Sequence, residues 1–316
     1  MRSTSVVRPA VLAGLLISAI FVLWWVSGEP KPFTPARAGA DAIYEVSYGE
    51  HPRQQLDVYL PDQLGDAAPA VIWIHPGGWV SGDKGRSMPV WDWTERGFAV
   101  ISINYRFADD EHTLLDSVAD GIAATRFVRA NASAWGIDPD RIGVYGFSAG
   151  GHLAAMIAAS DVGVAAVATV AAPTNFGPLT DPSNAVFEVR TAADAAATIR
   201  ARLGCDDTDC SAAIADASPT AQPPPSAPVR IVHGDADTIV DISQAEAVAA
   251  AWGAPGSLAE LVIVADGGHA TLHLEADIEA WFVGQLRLSW PLLPSESTIA
   301  TGGEPFVPPK LSFRRE

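Results

Sequence analysis

The chain has 316 residues, two cysteines and a formal net charge of −17. This length suits one large α/β domain or two small ones, and it is sufficient to bury a substantial core. The acidic balance argues against nucleic acid as a partner, because phosphate backbones are bound by clustered lysines and arginines. Two thiols are too few for a structural zinc site of four ligands, and no metal or other cofactor is expected.

An uninterrupted apolar run extends from Ala10 to Val26 near the start of the chain. As a helix it would be roughly 26 Å long, close to the roughly 30 Å of hydrocarbon in a bilayer. Arg2 and Arg8 precede the run, which favours an N-terminus that stays in the cytoplasm. Residues 1–28 are therefore predicted to be a cytoplasmic stub and transmembrane signal anchor, followed by a proline-containing linker over residues 29–41.

A cleaved signal peptide is the alternative, because small-residue cleavage sites occur at residues 36–38 and 38–40. Both sites lie far beyond the apolar run, across several prolines, which favours the uncleaved anchor. Under either interpretation the remaining chain lies outside the cytoplasm, attached to the membrane in the first case and secreted in the second. In that oxidising environment Cys205 and Cys210 could close a small loop.

The pattern from residue 42 onward predicts an α/β fold with a mostly parallel central sheet and helices on both faces. Two segments that alternate apolar and polar residues predict an antiparallel pair of strands, at Ile43–Tyr48 and Gln55–Leu60. Apolar runs predict further strands at Val71–Ile74, Ala99–Ile103, Ile142–Tyr145, Val164–Val170, Val229–Val232 and Leu261–Val264. Helices are predicted at Met88–Arg96, Thr113–Ala134, Leu153–Ala159 and Ser243–Trp252.

The alternation of strands and helices is interrupted between Asn175 and Pro228. This stretch is interpreted as a small cap-like insertion near the site, with a helical patch over Ala192–Leu203, and not as a second domain. The catalytic domain is predicted over residues 42–293, and residues 294–316 are predicted to be a disordered tail.

The sequence Gly146-x-Ser148-x-Gly150 lies between a predicted strand and a predicted helix. This context is typical of a nucleophile elbow, in which the serine occupies a strained turn that lifts its hydroxyl clear of the sheet. Small residues two positions to either side let the strand and the helix approach. The motif alone is weak evidence, so its interpretation depends on partners elsewhere in the chain.

A serine nucleophile requires a base within hydrogen-bond reach and a third group that orients the base. In this architecture the chain order is serine, acid, histidine. His269 lies in a glycine turn after the last predicted strand, and it is preferred as the base over His273, one helical turn further on. Three aspartates follow the preceding strand as candidates for the acid, and the residues alone do not separate the first two: Asp235, Asp237 and Asp241.

Residues 75–79, His-Pro-Gly-Gly-Trp, follow a predicted buried strand and are candidates for an oxyanion hole. Each well-placed N–H donor contributes roughly 3 kcal/mol in the transition state. Because Pro76 has no N–H group, the predicted donors are Gly77, Gly78 and Ala149, the residue after the nucleophile. A Gly-Gly turn after a strand is common, so this assignment depends on Ser148.

Together these motifs resemble the α/β-hydrolase fold, and specifically its bacterial carboxylesterase branch, near the hormone-sensitive-lipase and feruloyl- and acetyl-xylan-esterase-like families. The resemblance covers about Tyr44 to Trp290, and it also includes Gly82-Asp83-Lys84, Asn104-Tyr105-Arg106 and the His-Gly-Asp-Ala-Asp sequence that begins at residue 233. It implies that Ser148 is the nucleophile, His269 the base and Asp237 the orienting acid.

Pro76 departs from the family pattern, which usually has glycine at this position. Since the two following glycines donate in such enzymes, the substitution should be tolerated. His75 is expected to hold this loop and Trp79 to line the acyl pocket. Lys84 and Arg106 are expected to form structural ion pairs.

The sequence thus predicts a metal-independent serine hydrolase that cleaves small carboxylic esters through an acyl-enzyme. An amidase or peptidase with the same triad is one alternative, which anilide substrates would distinguish from an esterase. A catalytically silent binding scaffold is another, which would not react with a fluorophosphonate probe. The expected partners are a small-molecule ester and, through the N-terminal helix, a membrane.

Overall fold

The computed structural model describes residues 42–61, 67–85, 90–181, 192–205, 209–253, 257–269 and 275–286. The predicted signal anchor and linker, the predicted tail and His273 lie outside these ranges. Within them, no helix combines the length and the apolar character that crossing a membrane requires.

One eight-stranded sheet organises the described residues. Its strands are β1 (Ala42–Ser47), β2 (Gln55–Tyr59), β3 (Ala68–Ile74), β4 (Ala99–Ile103), β5 (Ile137–Phe147), β6 (Ala166–Val170), β7 (Val229–Gly234) and β8 (Ala259–Val264). The spatial order is β1-β2-β4-β3-β5-β6-β7-β8. The pairs β1/β2 and β2/β4 are antiparallel, and all other neighbours are parallel. The predicted antiparallel pair and the mostly parallel sheet are confirmed.

Helices connect and cover these strands. They are α1 (Val90–Glu95), α2 (Leu114–Asn131), α3 (Ala149–Ala159), α4 (Phe176–Leu179), α5 (Ala192–Arg202), α6 (Ser211–Ala217), α7 (Ser243–Trp252) and α8 (Glu275–Gln285), with 3-10 turns at Ala132–Trp135 and Pro219–Ala221. The interruption between β6 and β7 contains α4, α5 and α6. Only α5 was predicted, since α4 and α6 are too short to show a helical period.

Strand β3 shows why the sheet is covered on both faces. All seven of its residues are buried. Ile72 and Ile74 belong to the apolar cluster that includes residues of α2, α3 and α7, whereas Val71 and Trp73 belong to the cluster that includes residues of α1 and α8. Because consecutive side chains of a strand point to opposite faces, such a continuous apolar run requires helices on both sides of the sheet.

The strand that leads to Ser148 begins earlier than predicted. Asp138-Pro139-Asp140 was expected to precede it, but β5 already starts at Ile137. Ala68 of β3 pairs with Ile137 and Ala70 pairs with Ile142, so residues 138–141 form an irregularity in the ladder. A bulge of this kind tolerates a proline, because the extra residues need no ladder hydrogen bonds.

Candidate active site

The turn between β5 and α3 holds Ser148 in an uncommon backbone conformation. Its φ is 53° and its ψ is −119°. Strand β5 ends at Phe147 and α3 begins at Ala149, so the serine is the single residue between them. The Ser148 amide donates to the Val170 carbonyl of the adjacent strand at 2.8 Å. This anchors the strained turn and leaves the hydroxyl at the carboxyl edge of the sheet, next to the N-terminal end of α3.

Two glycines make this turn sterically possible. A Cβ on Gly146 would lie 2.0 Å from the Gly150 carbonyl oxygen, and a Cβ on Gly150 would lie 2.1 Å from the Ile74 carbonyl oxygen. Contacts this short would force the backbone to move. The two glycines of the motif therefore permit the close approach of α3 to β5 and β3 that the sequence pattern predicts.

The structure brings Ser148, His269 and Asp237 together, although they are far apart along the chain. The Ser148 hydroxyl donates to His269 Nε2 across 3.1 Å. On the other side of the ring, His269 Nδ1–H donates to Asp237 Oδ2 across 2.8 Å. Nδ1 is therefore the protonated nitrogen, and Nε2 is free to accept the serine proton. This is the geometry that a serine nucleophile with a general base requires.

The loop after β7 separates Asp237 from the other two candidate acids. Asp237 is 8% exposed, and its second oxygen accepts the amides of Ile239 and Val240 at 2.8 and 2.9 Å. Asp235 is exposed and accepts the Asp266 amide instead. Asp241 accepts the Ser243 amide at the start of α7. Only Asp237 contacts His269, as the family resemblance implied.

A second histidine, His233, supports the carboxylate of Asp237. His233 is fully buried, donates from Nε2 to the Val240 carbonyl at 2.7 Å, and lies 3.4 Å from Asp237 Oδ2. Burial alone would raise the pKa of Asp237, but hydrogen bonds from His233 and His269 and from the Val240 amide hold it well below its usual value. Asp237 is thus an anion at neutral pH.

The amides of Gly77, Gly78 and Ala149 are available for a ligand. Within the part of the chain that the structure describes, none of the three donates to an acceptor. Gly77 and Gly78 have φ values of 136° and 56°. Residues that carry a side chain rarely adopt such backbone conformations. A Cβ on Gly77 would also lie 1.9 Å from the Ser81 carbonyl oxygen. These glycines follow β3, whose neighbour β5 ends directly before Ser148.

His75 lies at the base of this glycine loop and holds it, as predicted. It is 1% exposed, its Nδ1–H donates to the Pro76 carbonyl at 2.8 Å, and its own carbonyl accepts the Tyr105 hydroxyl at 3.1 Å. The rings of His75 and Tyr105 stack with centroids 4.4 Å apart. Burial lowers the pKa of His75 to about 4, so the ring is neutral at pH 7.

Trp79 connects the glycine loop to α3. It is 2% exposed, and its indole N–H donates to His152 Nδ1 at 3.1 Å. The other nitrogen of His152 donates to the carbonyl of Ala217 in α6 at 2.8 Å. Phe176 of α4 lies against both rings. Trp79 thus has a structural role in the glycine loop, and its predicted place in the acyl pocket stays a prediction.

Lys84 and Arg106 form ion pairs, as predicted. Lys84 contacts Glu45 at 2.5 Å and Asp57 at 2.9 Å. Arg106 contacts Asp120 with both Nε and Nη2, a bidentate arrangement. Among the described residues, no hydrogen bond or ion pair joins either cation to Ser148, and their contacts stabilise the surrounding structure.

Sequence reasoning did not assign roles to His152, His233 or Arg202, although all three lie at the site or support it. His152 lies close to Ser148 in the sequence, and His233 lies close to Asp237. This proximity could have indicated that both histidines support the site. Arg202 is the last residue of α5, and no motif marks it.

The eight-stranded sheet is mostly parallel, and Ser148, Asp237 and His269 lie in the turn and loops at its carboxyl edge. This combination defines an α/β hydrolase. More specifically, the chain belongs to the BD-FAE family, whose model matches residues 56–252. The predicted fold and the resemblance to bacterial carboxylesterases are confirmed.

Among relatives, a carboxylesterase of Mycobacterium tuberculosis, NlhH, is 40% identical over 114 residues, which are 34% of this chain and 34% of the relative. The isoprenylcysteine alpha-carbonyl methylesterase ICME of Arabidopsis thaliana is 38% identical over 111 residues, 35% of this chain and 26% of the relative. The chain thus matches about a quarter to a third of the length of these curated relatives.

A solved structure of a truncated carbohydrate esterase from gut microbiota is similar over a much larger part of the fold. Its TM-score is 0.67 at 25% sequence identity, and the match covers 83% of this chain and all of that one. The similarity therefore extends over most of the described domain.

Proposed function

We propose that this protein is a serine hydrolase that cleaves small carboxylic esters through an acyl-enzyme. The observation that carries the proposal is a continuous hydrogen-bonded series from Ser148 through His269 to Asp237, next to three amides without acceptors in the described chain. Relatives named as carboxylesterases and methylesterases support ester hydrolysis.

In the proposed reaction, Ser148 Oγ attacks the ester carbonyl carbon while His269 Nε2 takes the hydroxyl proton. The oxyanion of the tetrahedral intermediate accepts hydrogen bonds from the amides of Gly77, Gly78 and Ala149. Asp237 stabilises the imidazolium that forms and keeps the ring oriented. Collapse of the intermediate transfers the proton to the leaving alcohol, and the acyl group stays on Ser148.

Deacylation repeats these steps with water as the nucleophile. His269 takes a proton from the water, the second tetrahedral intermediate uses the same three amides, and the serine recovers its proton when the carboxylic acid leaves. The complete cycle consumes one ester and one water and releases one alcohol and one carboxylic acid. His269 therefore acts as base and as acid once in each half of the cycle.

The direct test is the substitution Ser148→Ala, measured with a chromogenic acetate ester. Removing the nucleophile is expected to lower kcat by about 10⁵- to 10⁶-fold while the protein stays folded. Labelling by a fluorophosphonate probe should occur in the parent protein and disappear in the variant. Hydrolysis of the ester that is retained by Ser148→Ala would contradict the proposal. A separate comparison uses the parent protein: faster cleavage of an anilide than of the ester with the same acyl group would favour an amidase.

Residues 1–28 are proposed to anchor the enzyme in a membrane with the catalytic domain outside the cytoplasm. The support is the apolar run from Ala10 to Val26 with two preceding arginines. Alkaline extraction of membranes should leave the full chain in the pellet, whereas a chain that starts at Ala40 should be soluble. Recovery of a shortened chain in the soluble fraction would contradict the anchor and favour cleavage, whereas a full-length soluble chain would contradict both.

A further inference from the structure

Arg202 places a positive charge beside the loop that contains the free glycine amides. Its Nη1 lies 3.4 Å from the position that a Cβ on Gly78 would occupy. Its guanidinium carbon lies 5.9 Å from the centre of the Trp79 ring. Trp79 is hydrogen-bonded to His152, whose own amide donates to the Ser148 carbonyl at 3.0 Å. Arg202 is thus connected to the nucleophile turn through three successive contacts.

Three other buried or partly buried cations of the described chain have acceptors. Arg53 donates to the carbonyls of Tyr105 and Gly82, and Arg106 and Lys84 pair with carboxylates. Arg202 is partly buried, yet it donates to no acceptor among the residues that the structure describes. Its guanidinium instead lies over the face of the Trp79 ring.

Burying the Arg202 guanidinium costs free energy unless a ligand accepts its N–H groups. Burial of a charged group without a hydrogen-bond partner is unfavourable, and a guanidinium stays protonated in proteins. Burial lowers the pKa of Arg202, whereas hydrogen bonds to Asp120 raise the pKa of Arg106. Although the chain has a net charge of −17, no carboxylate among the described residues accepts a hydrogen bond from Arg202. A planar guanidinium with unused N–H groups matches a carboxylate in both charge and shape.

We infer that Arg202 binds a free carboxylate of the substrate, which makes monoesters of dicarboxylic acids the preferred substrate class. Arg202 lies against Gly78, whose amide is proposed to hold the oxyanion, so the recognised carboxylate is within a few bonds of the scissile carbonyl. The inference rests on the proposed esterase function and names the substrate of that same site.

The binding test uses the Ser148→Ala variant, because it does not turn the ester over. Monomethyl succinate carries one carboxylate, whereas dimethyl succinate is its neutral counterpart. By calorimetry, the monoester is expected to bind about 10- to 100-fold more tightly than the diester, the range for charge-assisted hydrogen bonds. Adding Arg202→Gln should abolish this preference, and adding Arg202→Lys should retain part of it. Unchanged affinity for the neutral diester shows that these variants are folded.

Arg126→Gln is the matched control, because Arg126 is exposed on α2 and its loss changes the net charge equally. This variant should keep the full preference for the monoester. Equal affinity of Ser148→Ala for the two ligands would overturn the inference. A preference that Arg202→Gln leaves intact would also overturn it.

Turnover separates this inference from the proposed function. With Ser148 present, Arg202→Gln should lower kcat/KM for p-nitrophenyl hemisuccinate by about 10- to 100-fold and change that for its methyl ester less than about threefold. An equal loss for both substrates would mean that Arg202 assists the oxyanion itself, and the carboxylate inference would be wrong. If the binding preference is present but the parent protein hydrolyses neither ester, the esterase proposal fails and the carboxylate site stands.

Discussion

The turn around Ser148 and the insertion between β6 and β7 contribute to one site in different ways. At the turn, backbone conformation determines the geometry, through the positive φ of Ser148 and the close approach that Gly146 and Gly150 permit. The insertion acts through its contacts with the rest of the site, since Arg202 lies against Trp79 and the Ala217 carbonyl accepts from His152. Under the proposed function the sheet edge supplies the reaction, whereas the insertion supports the loop and, through the inferred role of Arg202, supplies selectivity.

The largest effect is expected at the sheet edge, from Asp237→Asn. An amide in place of the carboxylate would stabilise the wrong tautomer of His269, and kcat should fall by about 10⁴-fold. Stopped-flow or steady-state assays with a p-nitrophenyl ester measure the loss. The denaturant midpoint of unfolding should stay close to that of the parent protein, because Asn keeps an oxygen that accepts the Ile239 and Val240 amides.

Asp235→Asn is the matched control in the same loop. Asp235 is exposed and accepts the Asp266 amide across 2.6 Å, a bond that an asparagine oxygen can still accept. Its kcat should stay within about threefold of the parent value, since Asp235 does not contact His269 and the asparagine oxygen keeps the bond to the Asp266 amide. A comparable loss in both variants would contradict the distinct assignment of the two aspartates.

A smaller effect is expected where the two regions meet, at His152. Burial lowers its pKa in the folded protein to about 4, whereas an unfolded histidine has a pKa near 6.5. Between these values the unfolded chain binds the proton and the folded chain does not, so stability falls as the pH falls. The contribution of His152 to this loss amounts to about 3 kcal/mol between pH 7 and pH 4.

Urea unfolding followed by tryptophan fluorescence at several pH values measures this loss. His75 has a similarly lowered pKa, so it contributes to the pH dependence of the parent protein as well. In His152→Gln the protein should be less stable at pH 7, because the Trp79 and Ala217 contacts change, but the dependence on pH should be about 3 kcal/mol smaller. An unaltered pH dependence would mean that His152 is accessible to protons in the folded state.

The difference between the two regions also explains how far the sequence could predict them. Ser148, its glycines and the strand–helix context are local in sequence, and the apolar run of β3 predicts a buried central strand directly. The choice of Asp237 over Asp235 required the family resemblance, because both lie in one loop and only the path of the backbone separates them. Arg202 could not be predicted, since its contact with Gly78 and Trp79 depends on how α5 packs from the insertion.

The smallest effect is expected within the insertion, from removal of the Cys205–Cys210 disulfide. Their Cα atoms are 5.6 Å apart, a usual distance for this bond. The bond closes a short loop directly after α5, so the double substitution to serine should lower the free energy of unfolding by about 2 kcal/mol. Chemical denaturation measures this value, and kcat/KM for a neutral ester should change less than about twofold, because the triad lies on other elements. A loss of kcat as large as that from Asp237→Asn would show that the insertion positions the reacting groups, and the division between the two regions would be wrong.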